Sequence, residues 1–482
     1  MSQKVKALLG MAILGFGLPL SVLAQSGDIV TKQYDDGSFY EGTFLNGRQH
    51  GTGTYTLPNG YSYTGDWVAG EILGQGVARY PNGSVYDGQF AAGKPEGRGK
   101  ITYANGGSYE GDWTDGKMTG EGVARYPDGS VYTGAFVDGK HHGTGVQEGP
   151  GGYRYEGAWA DGLKNGQGKI TYADGAVYDG TLVAGERQGK GTLTMPDGLT
   201  FIGDWAAGQI NGTGKLTQPN GDVYEGGFAE GQRQGQGKTT YANGDVYEGA
   251  FANDKRAGTG VFRAKDGTTL DGNWVEGRLT GTARISFPDG SVYEGAALDD
   301  QAHGTGTITY ADGSVYEGMW VAGVIEGEGT ATYANGATYT GGFKAAKPEG
   351  EGTLALPDGY RYVGSFAEGQ RHGKGVATYP DGSVYTGDFV KGLRSGTGEI
   401  IGPDGFRYNG TWTDGEIDGT GIATYPNGDV YEGSFVKGRR SGQGKLIYAS
   451  GQEAMGLWQD GILIAPASSP PEDETTPSNA PP

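Results

Sequence analysis

Residues 373–389 read Gly373-Lys374-Gly375-Val376-Ala377-Thr378-Tyr379-Pro380-Asp381-Gly382-Ser383-Val384-Tyr385-Thr386-Gly387-Asp388-Phe389. Two runs of strand length flank the Asp-Gly pair. Such a pair between alternating runs is a hairpin signal, because both residues tolerate positive φ. Strand side chains alternate sides, so Tyr385, Gly387 and Phe389 share one face. By the same parity Gly373, Gly375, Ala377 and Tyr379 share a face of the other run. The opposite face carries Val384, Thr386 and Lys374. Glycine leaves room for rings on neighbouring strands to lie flat across the backbone. The stretch predicts one β-hairpin with a glycine-and-aromatic face, too small to be stable alone.

The same unit recurs every 23 residues without insertion or deletion. Its leading tyrosine stands at Tyr40, Tyr63, Tyr86 and so on to Tyr431, with Phe201, Leu270 and Ala454 in that slot elsewhere. A glycine follows two residues later each time, from Gly42 to Gly456, and an aromatic usually follows two after that. All eight tryptophans occupy this last slot: Trp67, Trp113, Trp159, Trp205, Trp274, Trp320, Trp412 and Trp458. Further glycines fall seven, eleven and thirteen residues after the start, as Gly47, Gly51 and Gly53 do. Asn-Gly or Asp-Gly closes most units, as at Asn59-Gly60 and Asp128-Gly129. A repeat that cannot bury its apolar face alone must stack on its neighbours. The fold class predicted is all-β: an elongated, twisted, single-layer antiparallel sheet of tandem hairpins. At two strands per unit and ~4.8 Å per strand the array would run on the order of 180 Å.

The ends differ from the array. Residues 1–24 have Lys4 and Lys6, an apolar stretch from Ala7 to Leu20, and Ser21-Val22-Leu23-Ala24 before Gln25. This is the pattern of a secretory signal peptide, with an uncleaved anchor as the alternative. It places the protein outside the cytoplasm, periplasmic or secreted, in a bacterial setting. Residues 25–39 read as an N-terminal half-repeat cap, with Tyr34 in the tyrosine slot of a second strand. The array of 18 full units and one partial unit fills 40–461. Residues 462–482, rich in proline with Glu472-Asp473-Glu474, read as a disordered tail.

Composition agrees with ordered repetition. Glycine accounts for 99 of 482 residues, yet aromatics hold at 11% and are regularly spaced. The formal charge of −20 repels phosphate backbones and anionic headgroups at long range. Nucleic acid is therefore excluded as a partner, and membrane lipid is disfavoured. The absence of cysteine removes disulfides, thiolate metal sites and a cysteine nucleophile.

Catalytic patterns are wanting. Four of the five histidines (His50, His142, His303, His372) share one repeat slot, which points to a structural role. His141-His142 is the one adjacent pair and lacks the companions of a metal motif. Gly237-Lys238-Thr239 resembles the end of a phosphate loop, but Gln232 stands where its first glycine is required. No enzyme activity, metal or cofactor is expected.

Departures from the repeat cluster between Tyr247 and Asp300. Asp254, Asp300 and Ala346 replace the glycine seven after the start; Leu270, Ala283 and Ala297 replace tyrosine, glycine and aromatic. These mark either a bend or site, with Asp299 and Asp300 as exposed carboxylates, or drift in a tolerant array. The turn Gln147-Glu148-Gly149-Pro150-Gly151-Gly152 is expected to loosen one strand.

The spacing Tyr-x-Gly-x-aromatic-x-x-Gly-x-x-x-Gly-x-Gly with Asn/Asp-Gly resembles the MORN repeat (membrane occupation and recognition nexus) across residues 40–461. The resemblance implies successive hairpins in an elongated twisted sheet. Some relatives add a lipid-kinase or methyltransferase domain, for which the sequence leaves no room. Three binding functions compete. One is an extended scaffold binding proteins or itself, as a homodimer through terminal repeats, with the eight tryptophans as the candidate face. The second is phospholipid binding, for which Arg187, Arg233, Arg371, Arg394, Arg439 and Arg440 are basic candidates scattered among turn positions. The third is cell-wall or glycan binding through the aromatic face. The scaffold is the expected function.

Overall fold

The computed structural model describes residues 27–467. The leader expected at 1–24 and the Pro-rich stretch beyond 467 lie outside the described residues. The chain divides into two compact units, one of residues 27–196 with 205–208, the other of residues 197–204 with 209–467. The strands of the first run from Val30–Gln33 to Glu186–Thr194, and those of the second from Gln209–Thr217 to Ile462–Pro466. Within each unit every strand pairs antiparallel with its chain neighbours, giving the open hairpin sheet that the repeat predicts.

One repeat shows how the sequence dictates this. Strands Gln370–Thr378 and Val384–Val390 pair with Gly375 opposite Gly387, and Val384–Val390 pairs with Leu393–Ile401 with Gly387 opposite Gly398. The two kinds of turn differ. Lys391 and Gly392 both take positive φ, 48° and 81°, which makes a two-residue hairpin loop matched to the strand twist. At Asp381-Gly382 only the glycine does so, with φ 88°. There the Gly382 N–H donates to the Tyr379 carbonyl at 2.9 Å, and the Asp381 carboxylate accepts the Ser383 N–H at 2.8 Å. The expectation of positive φ at both residues of the Asn/Asp-Gly pair is thus corrected. Asp and Asn are chosen there because their side chains fold back onto their own turn.

The glycines make room for rings as expected: each leading tyrosine lies across the glycine of its own strand and that of the neighbouring strand that follows. A Cβ added to Gly387 would meet Tyr385 Oη and the Gly398 Cα, both at 2.5 Å. The strand carries a β-bulge between Gly387 and Phe389 that takes Asp388 out of the pairing with Leu393–Ile401. The Tyr385 hydroxyl donates to the Asp388 carbonyl at 3.0 Å and so satisfies it. The same bond recurs from Tyr40 to Thr43 and from Tyr132 to Ala135.

At the N-terminal end Val30–Gln33 pairs with Phe39–Leu45, as a half-repeat should. At the other end the array runs past Gly461. Ile462–Pro466 forms a strand against Glu453–Gln459, so the tail boundary at 462 is corrected. Ile462, Ile464 and their partners complete the last hairpin, which a composition reading of the prolines beyond had obscured. The turn at 149–152 loosens nothing: Pro150–Gly152 forms a single 3-10 turn, and both flanking strands keep their register.

Candidate interaction surfaces

The aromatic face is closed upon itself. Tyr385 meets Phe389 of its own repeat at 5.1 Å and 88°, and Trp412 of the next at 5.1 Å and 82°. Edge-to-face contacts of this kind recur from Tyr40 with Phe44 and Trp67 to Tyr431 with Phe435 and Trp458. Each places the positive ring edge on a negative ring face. All eight indoles donate to a glycine carbonyl fourteen residues upstream, as Trp412 Nε1 does to Gly398 at 3.0 Å.

This overturns the tryptophans as a binding face. Trp67, Trp113, Trp159, Trp205, Trp274, Trp320, Trp412 and Trp458 are all buried, the most open being 6% exposed. Their rings are held edge-on by tyrosines and their N–H groups are spent on backbone, so they are fold determinants. Half-exposed tyrosines form the border of this face instead, among them Tyr126, Tyr310, Tyr333 and Tyr448.

The arginines share one slot. Arg187, Arg233, Arg371, Arg394 and Arg440 each stand on the second strand of a hairpin, opposite the ladder aromatic or, for Arg187, opposite Leu182. Arg256 completes the set and was missed in sequence. Their guanidinium carbons sit over ladder rings, Arg394 4.2 Å from the Trp412 centroid and Arg187 4.1 Å from that of Trp205. Arg187, Arg371, Arg394 and Arg440 also donate to the carbonyls of Gly208, Gly392, Gly415 and Gly461. The reading of scattered turn positions is corrected: except for Arg439, ion-paired to Asp460, these cations cover the ladder. Nine-residue spacing from each start was the signal available in the sequence.

The next residue along is the histidine slot, and it caps a turn. His50 and His303 accept the N–H of Ala69 and Ala322, as Glu96, Gln188 and Glu326 do for Asp115, Ala207 and Ala345. His141, one position earlier, stacks on Tyr132 at 3.6 Å and 12° and bonds Tyr126 Oη at 2.7 Å. Burial, reinforced by Lys164, pulls its pKa down to about 4. Neighbouring strand residues point to opposite faces, so His141 and His142 do not converge on one ion. No group of three or more metal-ligating side chains occurs among the described residues.

The irregular repeats compensate one another. Leu270 lays no ring across Gly272, and there the opposite residue is Ala283, whose methyl is buried. Leu279 fills the remaining space and is fully buried. Asp300 lies at the surface, but its carboxylate accepts the Leu279 N–H at 2.8 Å, while Asp299 pairs with Arg278 at 3.2 Å. Asp254 likewise holds Arg233.

The face opposite the ladder is open. Its central row in the second unit includes Glu317, Thr330, Thr340, Val363, Val376, Thr386, Glu399 and Ile422, with Val376 39% and Ile422 46% exposed. In the first unit Arg98–Asp112 and Lys100–Glu110 pair across strands on the same face. The glycine pairs form its floor, and carboxylates and threonines its walls, as around Gly306, Glu317, Gly318 and Glu328.

Comparison with known proteins adds the following. No curated protein matches. Among solved structures, the TCP10c domain of Drosophila melanogaster Sas-4 aligns at 20% identity, covering 37% of this chain and 99% of that one, with a TM-score of 0.21. The TCP10 domain of Danio rerio CPAP in complex with a STIL peptide aligns at 16%, covering 55% and 92%, with a TM-score of 0.17. A catalytically inactive virginiamycin B lyase from Staphylococcus aureus aligns at 11%, covering 70% and 91%, with a TM-score of 0.11. Scores this low do not describe a shared fold, and no property of those proteins transfers to this chain. The MORN repeat pattern matches eighteen successive segments, from residues 40–60 to 431–453. With the hairpin geometry and the unbroken 23-residue period, this places the chain in the MORN-repeat family.

Proposed function

We propose that the array is an extracytoplasmic scaffold that binds proteins, further copies of itself included, over the face opposite the aromatic ladder, and that it catalyses no reaction. MORN repeats generally serve protein or membrane interaction. One observation favours protein: the ladder face is closed by its own rings and arginines except around Ala302, whereas the opposite face exposes Ile202, Val363, Val376 and Ile422 among threonines and charges. Apolar residues rimmed by polar ones suit a protein surface. Anionic lipid is the weaker reading, because five of the six arginines proposed for it in sequence stack on rings instead. The extracytoplasmic location rests on the leader-like residues 1–24.

The test is a photo-crosslinking residue at position 376 or 422 in the full chain expressed in its own cells. Defined protein adducts, or a dimer of this chain, are expected, along with a mature N-terminus at Gln25. Absence of protein adducts together with salt-sensitive flotation on phosphatidylserine vesicles would transfer the function to membrane binding.

A further inference from the structure

Six repeats place an arginine opposite the ladder position, and the place it fills is a constant of the fold. The guanidinium lies on the ring of the following repeat: Arg256 is 4.2 Å from Trp274, Arg394 4.2 Å from Trp412 and Arg440 4.5 Å from Trp458. Where the next turn carries glycine, its carbonyl accepts from the guanidinium, at 2.7 Å for Arg394 to Gly415. Where it carries Asp254, Arg233 reaches that carboxylate with Nε at 3.2 Å.

The repeat beginning at Tyr293 leaves this place vacant. Ala302 occupies the arginine slot, and Ala297 stands opposite where the ladder aromatic belongs. Both side chains are truncated at Cβ, and a cavity of about 340 Å³ opens beside Ala302. Its walls include Phe287, Tyr293 and Trp320, with Asp300 and Gly323. Trp320 is the ring equivalent to Trp412, and Gly323 the glycine equivalent to Gly415. Asp300 spends one carboxylate oxygen on the Leu279 N–H and is itself among the residues that line the cavity.

We infer that this cavity receives the guanidinium of an arginine carried by a protein partner, which would complete from outside what the chain completes internally in six other repeats. Ring faces attract a cation, a carboxylate adds a charge-assisted bond, and a chain of net charge −20 favours approach of a basic segment. The inference adds a contact on the ladder side to the scaffold reading, which places its main surface on the other face, and it rests on that reading only for a protein as the source of the arginine.

The experiment titrates the full chain by calorimetry with acetyl-Gly-Arg-Gly-amide, and with the same peptide carrying citrulline, which keeps the shape and loses the charge. The arginine peptide should bind at least about tenfold more tightly than the citrulline peptide. Ala302→Arg installs the residue that six repeats already carry, so it should fold with an unchanged or raised thermal midpoint and lose binding by about tenfold or more. Asp300→Asn should weaken binding several-fold. Equal affinity for the two peptides, no binding of the arginine peptide at millimolar concentration, or undiminished binding by folded Ala302→Arg would overturn the inference. Peptide binding reports on the cavity alone, and the crosslinks at 376 and 422 report on the scaffold reading alone, so either can fail without the other.

Discussion

Replacing Gly398 by alanine should be costly where Tyr385 is present and nearly harmless where it is not. A Cβ built on Gly398 lies 2.5 and 2.6 Å from Cζ and Cε2 of Tyr385, so the ring has to move. Gly398 has no positive φ, so the backbone itself accepts alanine. A displaced ring loses its hydroxyl bond to Asp388, worth about 1 kcal/mol. It also loses edge contacts with Phe389 and Trp412, worth about 0.5–1.5 kcal/mol each. Alanine returns about 0.4–1 kcal/mol by stiffening the unfolded chain. The net cost is about 2 kcal/mol. In a Tyr385→Leu background the ring is gone, and the same substitution should cost under about 1 kcal/mol, as small-residue overpacking does when a neighbour can yield. The chain already contains this double change, at Leu270 and Ala283.

Repeat arrays need not unfold as one cooperative unit, so the measurement is hydrogen exchange in the strands Val384–Val390 and Leu393–Ile401. A loss of ~2 kcal/mol accelerates exchange there about 30-fold, since each ~1.4 kcal/mol is tenfold. In the leucine background, Gly398→Ala should accelerate exchange several-fold at most. A coupling below about 0.5 kcal/mol between the two sites would refute the reasoning, and the glycines would then need a backbone explanation.

Three further outcomes follow from the geometry. Ala346 sits at φ 61° where all but two of the other repeats have glycine, so Ala346→Gly should raise the urea midpoint by the equivalent of about 0.5–1 kcal/mol; Asp300→Gly should not, because it forfeits the bond to Leu279. Arg394→Met keeps the stem packing but loses the contact with Trp412 and the bond to Gly415, and should lower stability by about 1–2 kcal/mol with little dependence on salt. His141 has a folded pKa near 4 against an ordinary 6.5, so the unfolded chain takes up a proton first on acidification. Stability should therefore be flat in pH above about 6.5 and fall between 6.5 and 4, and His141→Gln should remove that slope in denaturation at a series of pH values.

The period and the parity of Tyr385, Gly387 and Phe389 carried the hairpin sheet, because a single local rule repeats wherever those residues do. What the parity could not tell was which glycine lies under which ring: that depends on the bulge at Asp388, which leaves no mark in composition. The surface assignments failed for a related reason. Tryptophan in a single sheet reads as exposed when strands are considered alone, but Trp412 is covered by Tyr385 of one repeat and Tyr408 of its own, and Arg394 lies over it. Arg394 in turn looked like a turn residue, because its slot lies two residues past Gly392 and only the register with Phe389 reveals its partner. The strand Ile462–Pro466 was hidden by the prolines that follow it.

A division of labour between the two faces explains why an array so regular in one respect is so varied in another. Everything that fixes the hairpin lies on the ladder face: ring, glycine pair, indole bond and guanidinium cover. A change there can be matched by a change beside it, as Leu270 is matched by Ala283 and Leu279. The other face enters none of these contacts, and its central row passes from Glu317 through Val376 to Glu399 and Ile422 without disturbing the register. A surface free of folding constraints can be shaped to a partner, whereas a defect in the ladder leaves packing that a neighbour or a partner can restore. Ala297 and Ala302 are a pair of small residues where other repeats carry large ones, a cavity opens beside Ala302, and the six arginines of this slot show which group a partner would bring to it.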